Sequence, residues 1–115
     1  MGAAAGRDSP AGVTARMFVA TARITIHLPY SHSLKEKRST VRSLVARLHQ
    51  AGNLAAAEVG TLDQWQLITI GVAGVSNEGR HADALIANAL NVVERYLTEG
   101  VVTDVQTEIV SVLSD

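Results

Sequence analysis

The residues of this chain best suited to chemistry run from Ser31 to Arg38, reading Ser-His-Ser-Leu-Lys-Glu-Lys-Arg. Ser33 and Glu36 have the spacing of a capping box, which opens a helix. Lys35, Lys37 and Arg38 then fall in its first turns, where unpaired N–H groups and the macrodipole already make the helix end positive. Each cation there costs about 0.3–1 kcal/mol at low salt, so this end is suited to meeting something negative. At about 100° per residue Lys35, Arg38 and Arg42 share one narrow sector, with His49 following on. Such a ridge can track phosphates. The competing reading is a solvated helix edge whose long stems cover apolar surface. Ser31, His32 and Ser33 add hydroxyls and an imidazole beside the helix N–H groups, the parts of an anion pocket, although Ser33 could serve as a cap alone.

Other chemistry is poorly supplied. No Gly-rich phosphate loop accompanies this helix, so a nucleotide triphosphate site is not expected. His27, His32, His49 and His81 lack metal-ligand spacing, and there is no Cys, so neither a metal nor a thiolate nucleophile is expected. No Gly-x-Ser-x-Gly turn is present. Glu58 and Asp63 could form a carboxylate pair, but flanking a turn they read more simply as edge and turn residues. The expectation is a protein that is not an enzyme and uses no cofactor.

The elements that must position these residues follow from periodicity. The chain has 115 residues, enough for one domain; it is 47% hydrophobic, and with 3% aromatics its core must be Val, Ile, Leu and Ala. The net charge of −1 gives no bulk attraction to nucleic acid, so any such binding needs a local patch. No run approaches a membrane span and no leader pattern is visible, which points to a cytoplasmic protein without membrane contact. Residues 1–16 are Ala, Gly, Ser, Pro and Arg without period and read as a flexible tail; a single domain, 17–115, follows.

From Phe18 the chain alternates. Phe18, Ala20, Ala22, Ile24, Ile26 and Leu28 form one face of a strand, and Thr21, Arg23, Thr25 and His27 the other. A helix follows with apolar Leu34, Val41, Leu44, Val45 and Leu48, ended by Gly52. Residues 53–60 and 65–75 read as strands around a turn at 61–64. Ser76 and Asn77 are expected to cap a second helix, ended by Gly100. Residues 101–113 read as a fourth strand with Asp104, Gln106 and Glu108 on one face. This βαββαβ order predicts a ferredoxin-like α+β sandwich: a four-stranded antiparallel sheet, order 4-1-3-2, with two helices on one face. That topology gathers Ser31, His32, Ser33, Lys35, Asp63 and Trp65 at one end. On the open sheet face only Trp65, at a strand end, is aromatic, and the face is acidic to neutral, so RNA recognition by aromatic stacking there is disfavoured. The face is expected to be solvated, with Arg23 answering the acids across strands, or to be an oligomer interface using Trp65 and Leu67. Gly60 and Gly71 are expected to serve a turn and a close backbone approach.

Beyond these patterns, Ser31–Arg38, Ala57-Glu58-Val59-Gly60, Asp63-Gln64-Trp65-Gln66 and Gly71–Asn77 together resemble the bacterial YlxP-like family (DUF503), a domain of unknown function, over about Met17 to Leu113. The resemblance implies a ferredoxin-like fold; no activity comes with the family. Its genes often lie beside those for transcription termination and translation initiation, which implies a role near RNA or the ribosome. The Ala- and Gly-rich start departs from the family's usual beginning. The reading that results is a small RNA-binding or ribosome-associated protein contacting phosphates through Lys35, Lys37, Arg38 and Arg42, with Ser31, His32 and Ser33 at the anion pocket. The alternative is a homo-oligomeric interaction module, a homodimer in the simplest case, binding a small anion or a protein partner.

Overall fold

The computed structural model describes residues 15–114. Its elements run β1 (Ala15–His27), α1 (Leu34–Gln50), β2 (Leu54–Gly60), β3 (Leu67–Ser76), α2 (Gly79–Tyr96) and β4 (Val101–Ser114). The sheet order is β2-β3-β1-β4, every pair antiparallel, so the fold is the expected ferredoxin-like one. The alternation in β1 decides which side is core. Ala20, Ala22, Ile24 and Ile26 are buried beneath the helices, and Ile68, Ile70 and Val72 of β3 continue that face. Val41, Leu44 and Leu48 of α1 and Ala82, Leu85, Ile86, Ala89 and Val93 of α2 complete one core cluster. The two helices also meet where the Arg47 guanidinium lies 4.2 Å from the centre of the Tyr96 ring.

Four boundaries differ from the sequence expectation. The tail lies outside the described residues except for Ala15 and Arg16, which belong to β1. Backbone pairing with β4 continues through Arg16↔Leu113 and Ala15↔Ser114, and a ladder needs no apolar alternation to extend. Trp65 is not in β3. The chain is still turning there, with a Gln64 N to Thr61 O bond of 3.0 Å, and β3 begins at Leu67. Asn77 does not cap α2. The N-cap residue is Glu78, and its N–H donates to Ser76 Oγ at 3.1 Å, so the serine supplies an acceptor from two positions outside the cap. Finally, α2 ends at Tyr96 with Leu97 as its C-cap. Gly100 instead turns the chain into β4 with φ +108°, where an added Cβ would lie 2.8 Å from His27 O.

Candidate nucleic-acid interface at the start of the first helix

The capping box forms as the sequence predicts. Ser33 is extended, its Oγ accepts from Glu36 N at 3.1 Å, and Glu36 Oε2 accepts from His32 N at 3.0 Å. This closure changes the anion pocket. Ser31 is buried, its hydroxyl donating to Ser33 O at 3.2 Å, and the Glu36 carboxylate occupies the space beside His32 N that an anion was expected to use. The loop is thus a self-satisfied helix start, and Ser31 and Ser33 are structural there. His32 remains exposed.

Lys37 is a larger correction. It was expected at a phosphate, yet its side chain is 0% exposed and its Nζ lies 2.8 Å from Glu58 Oε2. The same ammonium donates to Thr61 O and, at 3.4 Å, to Leu62 O. Glu58 Oε2 is itself buried and has no other polar partner among the described residues, so the ammonium is what compensates its charge. Two local patterns bring the pair together. Lys37 precedes Val41, Leu44 and Leu48 at intervals of four, three and four, so it stands in the buried stripe of α1. Glu58 follows Leu54 and Ala56 by period two, on the helix-facing side of β2. The spacing of both residues points inward, against what their charges alone suggest. Glu58 is therefore committed to Lys37 and is no carboxylate partner for Asp63.

Clamping by Lys37 coincides with a strained turn. Thr61 has φ +56°, uncommon for a β-branched residue. Its Oγ1 is held within 2.6 Å of Gly60 O, 3.3 Å of Leu67 O and 3.1 Å of Thr69 Oγ1. A register shift between Glu58 and Gly60 bulges β2 just before it. Of the two glycines expected to act here, Gly60 would accept a Cβ at ordinary contact distance, whereas at Gly71 a Cβ would come within 2.9 Å of Val59, the bulged residue. From the other side Gln66 ties this turn to the first loop, its Nε2 donating to Pro29 O at 3.2 Å and Ser31 O at 3.3 Å. The two loops predicted to share one end of the sheet therefore meet.

Lys35, Arg38 and Arg42 remain on the surface, and none forms an ion pair among the described residues. Their place on the molecule is fixed by two neighbours. His49, in the same sector, accepts from Ala56 N at 3.2 Å, so this flank of α1 borders the outer edge of β2. Arg47, on the opposite flank, faces α2. The ridge thus runs along the sheet edge and ends beside the turn that carries Trp65. There Trp65 is 50% exposed and lines an open concavity of about 390 Å³ with His27, Asp63, Gln64, Gln66 and half-buried Leu67.

On the open face Arg23 does not answer an acid directly. Its Nη2 donates to Gln106 Oε1 at 2.6 Å, and Gln106 in turn donates to Asp104 Oδ2 at 3.3 Å, because the register sets Arg23 opposite Gln106. Large apolar side chains gather at the far end of that face, where Val75 (56% exposed), Val110, Val112 and Met17 surround half-buried Val19. Among the described residues no three His, Asp or Glu are grouped to hold a metal, and no helix is long and apolar enough to cross a membrane.

Residues 19–107 match the family described as "Protein of unknown function (DUF503)". The chain belongs to that family. A curated relative, "Uncharacterized protein YlxP" of Bacillus subtilis (strain 168), is 38% identical over 45 residues, which are 39% of this chain and 49% of the relative. The match thus spans about half the relative's length. Among solved structures, the "Structural Genomics, protein YJCS" chain covers 78% of this chain and 96% of its own length at TM-score 0.48 and 6% identity. The designed protein Foldit4 aligns over 84% and 96% at TM-score 0.45 and 8% identity. SnoaB, a cofactor-independent oxygenase from Streptomyces nogalater, aligns over 84% and 92% at TM-score 0.44 and 11% identity. None of these likenesses bears on what the present chain binds or does.

Proposed function

We propose that this DUF503 chain is an RNA-binding protein, with the ribosome as its setting, and that it contacts phosphates along α1 through Lys35, Arg38 and Arg42. The observation that carries this reading is the set of three exposed cations, free of ion pairs among the described residues, in one sector of a helix whose other two cations are engaged elsewhere, Lys37 with Glu58 and Arg47 on the Tyr96 ring. A net charge of −1 gives no general affinity for polyanions, so binding would depend on this flank alone. The mechanism is backbone recognition by charge, without catalysis, and the Glu36 carboxylate limits it to the side of the helix rather than its tip. The test is titration of small ribosomal subunits and their free RNA across a salt series, comparing the wild type with Arg38→Glu/Arg42→Glu. Saturable, salt-sensitive binding lost in the variant supports the reading; equal binding by a folded variant refutes it.

A second reading, a self-associating module, is favoured by a separate observation: the apolar cluster of Met17, Val75, Val110 and Val112 on the open face. This moves the expected interface away from Trp65 and Leu67 to the other end of the sheet. Sedimentation equilibrium would give a dimer that Val110→Lys converts to monomer; a monomer at high concentration would refute it.

A further inference from the structure

The geometry points to a ligand for the concavity beside Trp65: an unpaired base of single-stranded RNA, its ring stacked on the indole. This rests on the RNA-binding reading and names the part of the RNA that the ridge does not read. Four observations lead to it. Trp65 is the single tryptophan of the chain, yet it takes no part in the core and leaves half its surface open. It is carried on a turn that is held rather than loose, by Lys37 at Thr61 O and Leu62 O and by Gln66 at Pro29 O and Ser31 O. An aromatic held in place and exposed loses little freedom when a second ring stacks on it.

The lining supplies the third observation. His27, Asp63 and Gln64 line the concavity with polar side chains, the Gln66 amide N–H groups being already engaged by Pro29 O and Ser31 O, and a polar lining suits the edge of a heterocycle better than an aliphatic side chain. Asp63 also sorts the two halves of a nucleotide, since its carboxylate would repel a phosphate but accept from a base N–H. The fourth is placement: the basic flank of α1 runs along β2 toward this turn, so a strand whose phosphates follow Lys35, Arg38 and Arg42 reaches the turn and can continue round the end of the sheet to the Trp65 concavity. A duplex keeps its bases stacked on one another and could not present one here.

Because Trp65 is the only indole, its emission reports this site alone. The experiment titrates the full chain with a single-stranded RNA oligonucleotide and with a blunt duplex of the same sequence. Tryptophan emission is followed in parallel with the anisotropy of an end-labelled copy of each RNA. The expected result is saturable quenching by the single strand with the same midpoint as the anisotropy, and no quenching by the duplex. Trp65→Ala should weaken single-strand binding roughly 5- to 150-fold, and Trp65→Phe should recover most of it. Single-strand binding by anisotropy with unmoved emission, and equal affinity in Trp65→Ala, overturns the stacked base while leaving the ridge standing. Absence of RNA binding by anisotropy overturns both. If Trp65→Ala fails to fold, the wild-type quenching and the Trp65→Phe affinity still decide.

Discussion

Removing Lys37 should damage the fold rather than RNA affinity, and the size of the effect can be worked from its surroundings. The ammonium is fully buried, pairs with Glu58 at 2.8 Å and donates to two turn carbonyls. Taking away one member of a buried pair leaves the other charge uncompensated, at about 3–5 kcal/mol. Domains of this size are stable by only about 5–15 kcal/mol in total, so Lys37→Met should forfeit a large share. At roughly 4–8 °C per kcal/mol, the thermal midpoint should fall by about 12 °C or more. Glu58→Leu alone should cost a similar amount, because it strands the ammonium. The double change Lys37→Met/Glu58→Leu should recover much of the loss, since well-packed apolar replacements of buried pairs are often neutral or better. A urea-unfolding double-mutant cycle measures this, the coupling appearing as strong non-additivity. If Lys37→Met kept wild-type stability but bound RNA more weakly, the assignment of Lys37 to the interior would be refuted.

Three further outcomes are expected. With three phosphate contacts on single-stranded RNA, log affinity should fall with log salt at a slope of about −2, or about 20-fold between ~50 and ~200 mM; a slope near −3 in filter binding would imply a fourth cation. Ser33→Ala should cost about 0.5–2 kcal/mol by denaturant unfolding while leaving RNA affinity within twofold, because the hydroxyl serves Glu36 N rather than a ligand; a selective loss of binding would restore the anion pocket. Gly100→Ala should destabilise by at least about 1–3 kcal/mol in the same assay, since its φ of +108° and the nearness of His27 O both exclude a side chain, and a neutral result would contradict that turn geometry.

The fold was legible because its signals were local and mutually consistent. The alternation of Ala20, Ala22, Ile24 and Ile26 marked a half-buried strand, and Ser33 with Glu36 marked the helix start. The βαββαβ order then left one economical packing. The site was less legible, for a physical reason visible at Lys37. Its spacing placed it in the buried stripe, but its charge argued for solvent, and only a partner on another element resolves that conflict. Glu58 lies 21 positions away, and its own inward position followed from period two, so the evidence existed in two halves that nothing local joins. Arg23 is the reverse case. Its opposition to Gln106 rather than an acid depends on strand register, which the bulge between Thr25 and Ile26 helps set and which periodicity does not report. The Ser76 hydroxyl accepts from the cap residue's own N–H, that of Glu78, rather than from a helix N–H, because the turn into α2 is one residue longer than an Asn77 cap requires.

The bond from Ala56 N to His49 Nε2 has a bearing on how copies of this protein could grow together. The sheet has two rims, β2 and β4. If both were open, the rim of one molecule could join the opposite rim of the next without end, the route to a fibre. The His49 imidazole takes up the Ala56 N–H in the middle of the β2 rim and so handicaps that rim as a template. Pairing through the sheet would then favour the β4 rim, which meets its own kind in a closed pair rather than an endless row.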